Sequence, residues 1–251
     1  MNRLIIILFL LPFMAIGQTP LSINDTLAAN TANYQYSYKQ LIVPGVIIGY
    51  GIIGIGSDQL IDYNKGIREE VQEHIDEKFT IDDFSQYTPM LSVYALNFSG
   101  VEGKHNLGDR TIIMATSYLI MSGTVTGLKH LIHERRPDGT SDNSFPSGHT
   151  ATAFSGAEFL WQEYKHKSIW YGIAGYTIAA GTGAFRMYNN RHWLTDVTTG
   201  AGIGILSTKA AYWLFTVIKK HIFGGETGKL TGMIMPFYNG QQTGAAMIIR
   251  L

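Results

Sequence analysis

KHLIHERRPDGTSDNSFPSGHTATAF, residues 129–154, ends one helix, turns sharply and begins another. Upstream, 111–133 is an apolar run of helical length, and Pro137 sets the stop just behind Arg136, because the residue before a proline is pushed out of helical geometry. Pro137-Asp138-Gly139 punctuates the turn. Pro146-Ser147-Gly148-His149 then leads into Thr150-Ala-Thr-Ala-Phe, which reads as a helix start running on to about 164. Outward from this stretch, further helical runs fall at about 41–56, 86–98, 168–185 and 193–219. In the charged region Asp58 to Asp83, Ile67, Val71 and Ile75 recur every four residues, predicting a surface helix with one buried stripe. The end of the chain changes character. Met233 to Tyr238 and Ala245 to Leu251 are short apolar stretches separated by Asn239-Gly240, a hairpin pattern. The expected fold is all-α, a bundle of about six helices with its active site at one end and a short C-terminal β-hairpin-like tail.

Bulk properties narrow the function classes. Nineteen basic residues balance nineteen acidic ones, so no overall field draws nucleic acid, and no nucleic-acid partner is expected. The 251 residues contain no cysteine, which excludes disulfides, iron–sulfur clusters and thiol catalysis. Twenty-eight glycines and 45% hydrophobic residues suit closely packed helices in a large core or a membrane. Gly45 and Gly49 have the small-xxx-small spacing of such packing. Gly49, Gly51 and Gly54 also form a GxGxxG, but no strand–turn–helix unit surrounds it, so helix packing is the reading. Arg3, the apolar run Leu4 to Met14 and the small residues Ala15-Ile16-Gly17 predict a signal peptide over 1–17. A polar leader over 18–40, a helical domain over 41–223 with its motif core at 85–219, and a tail over 224–251 complete the expected organisation.

The chemistry lies in three places. On a continuous helix Lys129 and Arg136, seven apart, share a face and hold two sides of a phosphate; a solvated basic helix end is the bland alternative. Backbone N–H groups at the helix start after Ser147 and Gly148 approach an anion closely, and His149 at the rim is placed to deliver a proton. A capped helix with a surface histidine reads equally from that tetrapeptide. His192 and Asp196, four apart on the helix expected to begin near Arg191, form a histidine oriented by a carboxylate, and Arg186 adds a third cation. A structural His–Asp pair is the competing reading. His105, His130, His133, His166 and His221 form no metal-ligand pattern.

Together these segments resemble the signature of the type-2 phosphatidate phosphatase / vanadium haloperoxidase superfamily, K-x6-R-P, P-S-G-H and S-R-x5-H-x3-D, over roughly residues 85–219. The resemblance implies Lys129, Arg136 and Arg186 as phosphate ligands, with Ser147 and Gly148 as hydrogen-bond donors to it. It implies His149 as acid to the leaving group and His192 as nucleophile, oriented by Asp196, with no metal and no cofactor. Two departures stand out: Phe185 replaces the usual Ser before Arg186, and only eight residues separate Pro137 from Pro146.

The function implied is an exported phosphomonoesterase on a lipid phosphate (phosphatidate, isoprenyl diphosphate or lipid A type), membrane-associated or periplasmic in the cell envelope. A soluble periplasmic acid phosphatase, a vanadate-dependent haloperoxidase and a non-catalytic envelope protein are the alternatives. Topology adds a parity condition. With a cleaved signal, an outward-facing 137–146 loop needs an even number of spans before it, and the short 86–98 run is the expected non-spanning member.

Overall fold

The computed structural model describes residues 37–73, 80–222, 231–238 and 243–250. The expected signal peptide, most of the polar leader, Ile75 and the Asn239-Gly240 turn lie outside them. A 3-10 turn leads into α1 (Ile42–Gly56), followed by α2 (Asp58–Gln72), α3 (Ile81–Ser85), α4 (Thr88–Phe98), α5 (Leu107–Leu131), α6 (Gly148–Tyr164), α7 (Ile169–Tyr188) and α8 (Leu194–Ile222). The fold is all-α in its body. Beyond α8, β1 (Thr231–Tyr238) and β2 (Thr243–Arg250) pair antiparallel, with Thr231 opposite Arg250.

Local signals explain the ends of these helices. Asn106 caps α5 by accepting from the Asp109 N–H at 2.8 Å, and Lys129 and His130 sit in its last turn, where the helix dipole favours cations. Ser168 caps α7 in the same way through Trp170. In α2 the inward stripe is Ile61, Asn64, Ile67 and Val71, as the four-residue recurrence requires, but the helix stops at Gln72.

α6 is the central rod. It is buried nearly all round, with Ala151, Ala153, Ala157, Phe159 and Leu160 facing neighbours on every side. α8 lies so close to it that a Cβ on Gly200 would stand 2.4 Å from the Ser147 carbonyl oxygen. α1 packs on α8 through Gly51 and Gly54 against Thr195 and Thr199. Gly45 and Gly49, the pair whose spacing suggested the contact, have nothing within 4 Å of a built Cβ. The largest apolar cluster joins Val93, Ile113, Met114, Phe159, Tyr164, Tyr212 and Phe215 at the far end of α6 from Gly148.

Direction of travel positions the site. α6 and α8 start at one end of the bundle, and α5 and α7 finish there. Ile55, in the last turn of α1, lines a cavity with Ile132 and Arg135, so α1 finishes there too. Asp82 of α3 meets Arg186 at this end, whereas the Val93 and Val101 carbonyls accept from Tyr164 at the other. Among the described residues the chain therefore runs along the bundle three times before residue 132, the second time through α4, whose 11 residues are not among the helices long and apolar enough to cross a membrane. α1 (from Tyr38) and α5 are long and apolar enough to cross a membrane by length and composition. Large apolar side chains stand exposed on several helices: Ile42, Val46 and Ile53 on α1, Leu119 on α5, Trp170 on α7 and Trp213 on α8.

Candidate functional site

The end of α5, the 132–147 loop, the end of α7 and the start of α8 bring the sequence-singled residues together. Lys129 donates from Nζ to the Asn143 carbonyl at 2.5 Å and the Ser144 carbonyl at 3.3 Å. α5 ends at Leu131, so Arg136 is not on a shared helical face with Lys129. The short loop does the work instead. Arg136 N–H donates to the Ser141 carbonyl, Gly139 takes φ +72 and donates to the Arg136 carbonyl, and Arg136 Nε holds Asn143 Oδ1 at 3.0 Å. Asn143 thus ties both cations to one strand of loop.

His192 also departs from expectation. α8 begins at Leu194, so His192 precedes it and Asp196 sits in its first turn. Asp196 Oδ2 accepts the Trp193 backbone N–H at 2.8 Å, the reach-back of a capping box, which fixes the carboxylate. The same oxygen faces His192 Nδ1 at 3.3 Å and accepts the Ser144 hydroxyl. His192 is 4% exposed. Burial pushes it down to about 4, Arg186 and Lys129 add to the effect and the Asp196 bond opposes it, so the ring is neutral at physiological pH.

Arg186 closes the set. It is 7% exposed, and its Nη1 bonds Asp82 Oδ2 at 2.5 Å while Asn189 Nδ2 holds Asp82 Oδ1 at 2.8 Å. Its Nε is buried and finds no hydrogen-bond partner among the described residues. A buried guanidinium with an orphaned donor suits an oxyanion. Phe185, at the expected serine position, lies edge-on to Tyr188 and offers no hydroxyl.

At the start of α6, Ser147 is fully buried. Its N–H donates to the Asp196 carbonyl at 3.0 Å and its hydroxyl pairs with Thr150 at 2.9 Å, so this side chain is engaged inward. Gly148 and His149 follow in the first turn, where N–H groups have no intrahelical acceptor. His149 Nε2 bonds Asp83 Oδ1 at 2.9 Å. Ligand atoms of Asp82, Asp83 and His149 lie within 4.8 Å of one another, but Arg186 already supplies the cation there, 2.5 Å from Asp82 and 3.9 Å from Asp83. The cluster is an ion-pair network.

Asp82, Asp83, Glu134, Asn143 and Ser144 are the site residues that sequence reasoning missed. Asp82 and Asp83 read as part of a solvated charged stretch, yet Asp82 is 1% exposed.

The sequence profile of the PAP2 superfamily matches residues 110–220. Over that stretch the chain is similar to the PAP2 superfamily. All three cations, both histidines and Asp196 lie within that PAP2 stretch. Among curated proteins, a lipid A 1-phosphatase of Porphyromonas gingivalis is 36% identical over 170 residues, 64% of this chain and 38% of the relative. The bacitracin transport permease protein BcrC of Bacillus licheniformis is 36% identical over 72 residues, 29% of this chain and 34% of the relative. The chain thus spans well under half the length of either. Two crystal structures resemble it at TM-score 0.46. LpxE of Aquifex aeolicus, at 21% identity, is matched over 59% of this chain and 94% of its own. The transmembrane PAP2-type phosphatidylglycerolphosphate phosphatase of Bacillus subtilis, at 20% identity, is matched over 74% and 100%.

Proposed function

We propose that this chain is a metal-independent phosphomonoesterase acting on a lipid phosphate through a phosphohistidine at His192. The observation that carries the reading is a neutral, buried His192 whose Nδ1 faces Asp196 and which lies within electrostatic range of Lys129 and Arg186. Donation of the Nδ1 proton to Asp196 leaves the Nε2 lone pair free to attack phosphorus. As the N–P bond forms, the P–O bond to the leaving group breaks, and His149 gives its proton to the departing alkoxide. Water then attacks phosphorus, His149 takes the water's proton, and the N–P bond breaks to release inorganic phosphate. Asp83 holds His149 at the rim for both steps.

Lys129, Arg136 and Arg186 supply the fixed positive charge that the transferring phosphoryl group needs, and Gly148 allows the backbone close to it. Ser147 supports the cradle by tying the start of α6 to Asp196. Monoester hydrolysis is so slow uncatalysed that accelerations of up to ~10²¹ are required, and preorganised cations in a water-poor site are the largest available source. The exposed apolar side chains of α1, α5, α7 and α8 support a bundle embedded in the cell envelope membrane, with the site at one lipid–water boundary. The resemblance to a lipid A 1-phosphatase favours a phosphorylated glycolipid as substrate, over phosphatidate or an isoprenyl diphosphate.

Phosphate release measured against a panel of lipid A, phosphatidate, isoprenyl diphosphate and soluble monoesters tests this. Release from the glycolipid by the intact protein, abolished in His192→Ala, is expected. Preference for soluble esters overturns the substrate class, and undiminished release by His192→Ala overturns the nucleophile.

A further inference from the structure

We propose that Glu134 is a positioning residue for the reaction, sharing one proton with Asp196 so that the carboxylate behind His192 carries a single charge. The proposal rests on the reading of His192 as nucleophile. Asp196 is fully buried, and its two oxygens differ sharply. Oδ2 receives the Ser144 hydroxyl, the Trp193 N–H and His192 Nδ1. Oδ1 is buried with no hydrogen-bond partner among the described residues, and neither has Glu134 Oε2. The two side chains lie within hydrogen-bond reach of each other. Two acceptor oxygens cannot bond without a proton, and one shared proton satisfies both orphaned atoms together.

The backbone fixes this meeting. Ser144 N–H donates to the Glu134 carbonyl at 2.9 Å, and Trp193 Nε1 to the Arg135 carbonyl at 2.9 Å, so the Glu134 segment is tied on both sides of Asp196. Glu134 also faces a cavity of about 420 Å³ walled by Ile55, Ile61, Ile132 and Trp193. The charged and titratable groups around the pair are His192 just before α8, Lys129 from α5 and Arg136 from the loop, all interacting with Asp196, and Lys65 from α2, His133 and Arg135, which line the cavity with Glu134. Burial and then the Asp196 charge push the Glu134 carboxyl up to about 8. Asp196, with three donors on Oδ2, is the better-stabilised anion, so Glu134 is the member that keeps the proton. The shared proton draws Asp196 charge towards Oδ1 and away from His192. Loss of that proton places a second negative charge beside the phosphoryl seat and repels the substrate.

The test uses the intact protein with 4-nitrophenyl phosphate, whose leaving group departs without protonation, so that His149 does not shape the alkaline limb. Wild-type kcat is expected to fall above about pH 8. Glu134→Gln, which keeps a donor and cannot ionise, should stay within about threefold of wild type at pH 7 and fall less steeply than wild type above pH 8, Lys129 being the other group that can lose its charge there. Glu134→Ala should drop kcat by about 10- to 100-fold with KM little changed, as for a lost hydrogen bond to a charged group. Parallel alkaline limbs in Glu134→Gln and wild type, or an Ala variant equal to wild type, overturn the proposal. Carboxyl-labelled NMR of the wild-type protein reads the Glu134 proton directly. Titration near 8 is expected, and an ordinary carboxyl titration overturns the shared proton even if no phosphate ester is turned over, which separates this failure from that of the proposed function.

Discussion

Removing Asp82 should destabilise the protein in a way that a bound anion repairs. Asp82 is 1% exposed and holds Arg186 at 2.5 Å and Asn189 at 2.8 Å. Asp82→Ala leaves a buried guanidinium facing only Asp83, 3.9 Å away and half exposed. Breaking one side of a buried ion pair costs about 3–5 kcal/mol, because the remaining charge has lost both water and its partner. For a chain of this size that is a fall in Tm of about 6–20 °C. If Arg186 belongs to an oxyanion seat, inorganic phosphate or vanadate supplies the missing negative charge. At a hundred times Kd a ligand adds about 2.7 kcal/mol, so phosphate should return much of the loss. The assay is thermal unfolding of wild type, Asp82→Ala and Asp82→Asn with and without phosphate. The Asn variant keeps a side-chain oxygen for Asn189 and removes only the charge. Phosphate should raise Tm more in both variants than in wild type. Equal rises in all three, or no destabilisation without phosphate, refute the argument.

Two other outcomes follow from the same structure. His192 should remain neutral in ¹⁵N-histidine NMR until about pH 4, and a titration near 6.5 would remove the physical basis of its nucleophilicity. Because its folded pKa is depressed, the associated stability is present above about 6.5 and is lost as pH falls towards 4, about 3 kcal/mol in all. Sidedness can be read because the native chain has no cysteine. Single cysteines at Gly139, beside the site, and at Lys104, beyond the far end of α4, should label from opposite sides of intact cells with an impermeant reagent. Because α1 finishes at the site end, a spanning bundle with its site outside has the Tyr38 end of α1 inside; labelling of Gly139→Cys only after lysis would place the site in the cytoplasm.

Much of the candidate site was legible, because residues that the structure brings together stand out in the sequence by type and spacing. Lys129, Arg136, Arg186, His149, His192 and Asp196 could be singled out before any geometry. Their placement was less legible. Periodicity reports which residues would share a helical face but not where a helix stops, so Arg136 and His192 were expected on helices and both lie in loops. The groups that hold the site were invisible for a different reason. Ser144, Asn143 and Glu134 act through a tight loop folding on itself, and Asp82 acts across 104 residues on Arg186. A pair of aspartates at the end of a charged stretch looks solvated until tertiary packing buries one of them. In α1 the helix-packing reading holds for Gly51 and Gly54 of the GxGxxG and not for the Gly45–Gly49 pair. Gly51 and Gly54 face α8, and only the partner helix decides which face of an apolar run is inward.

The most direct test of the central claim is to trap the covalent phosphoryl-enzyme. Rapid quench into alkali, where phosphohistidine survives, followed by peptide mass spectrometry should place one phosphoryl group on His192 during turnover of 4-nitrophenyl phosphate. The signal should rise in His149→Ala, which lacks the base for the water step. A phosphoryl group on any other residue, or steady turnover with none on the protein, would contradict it.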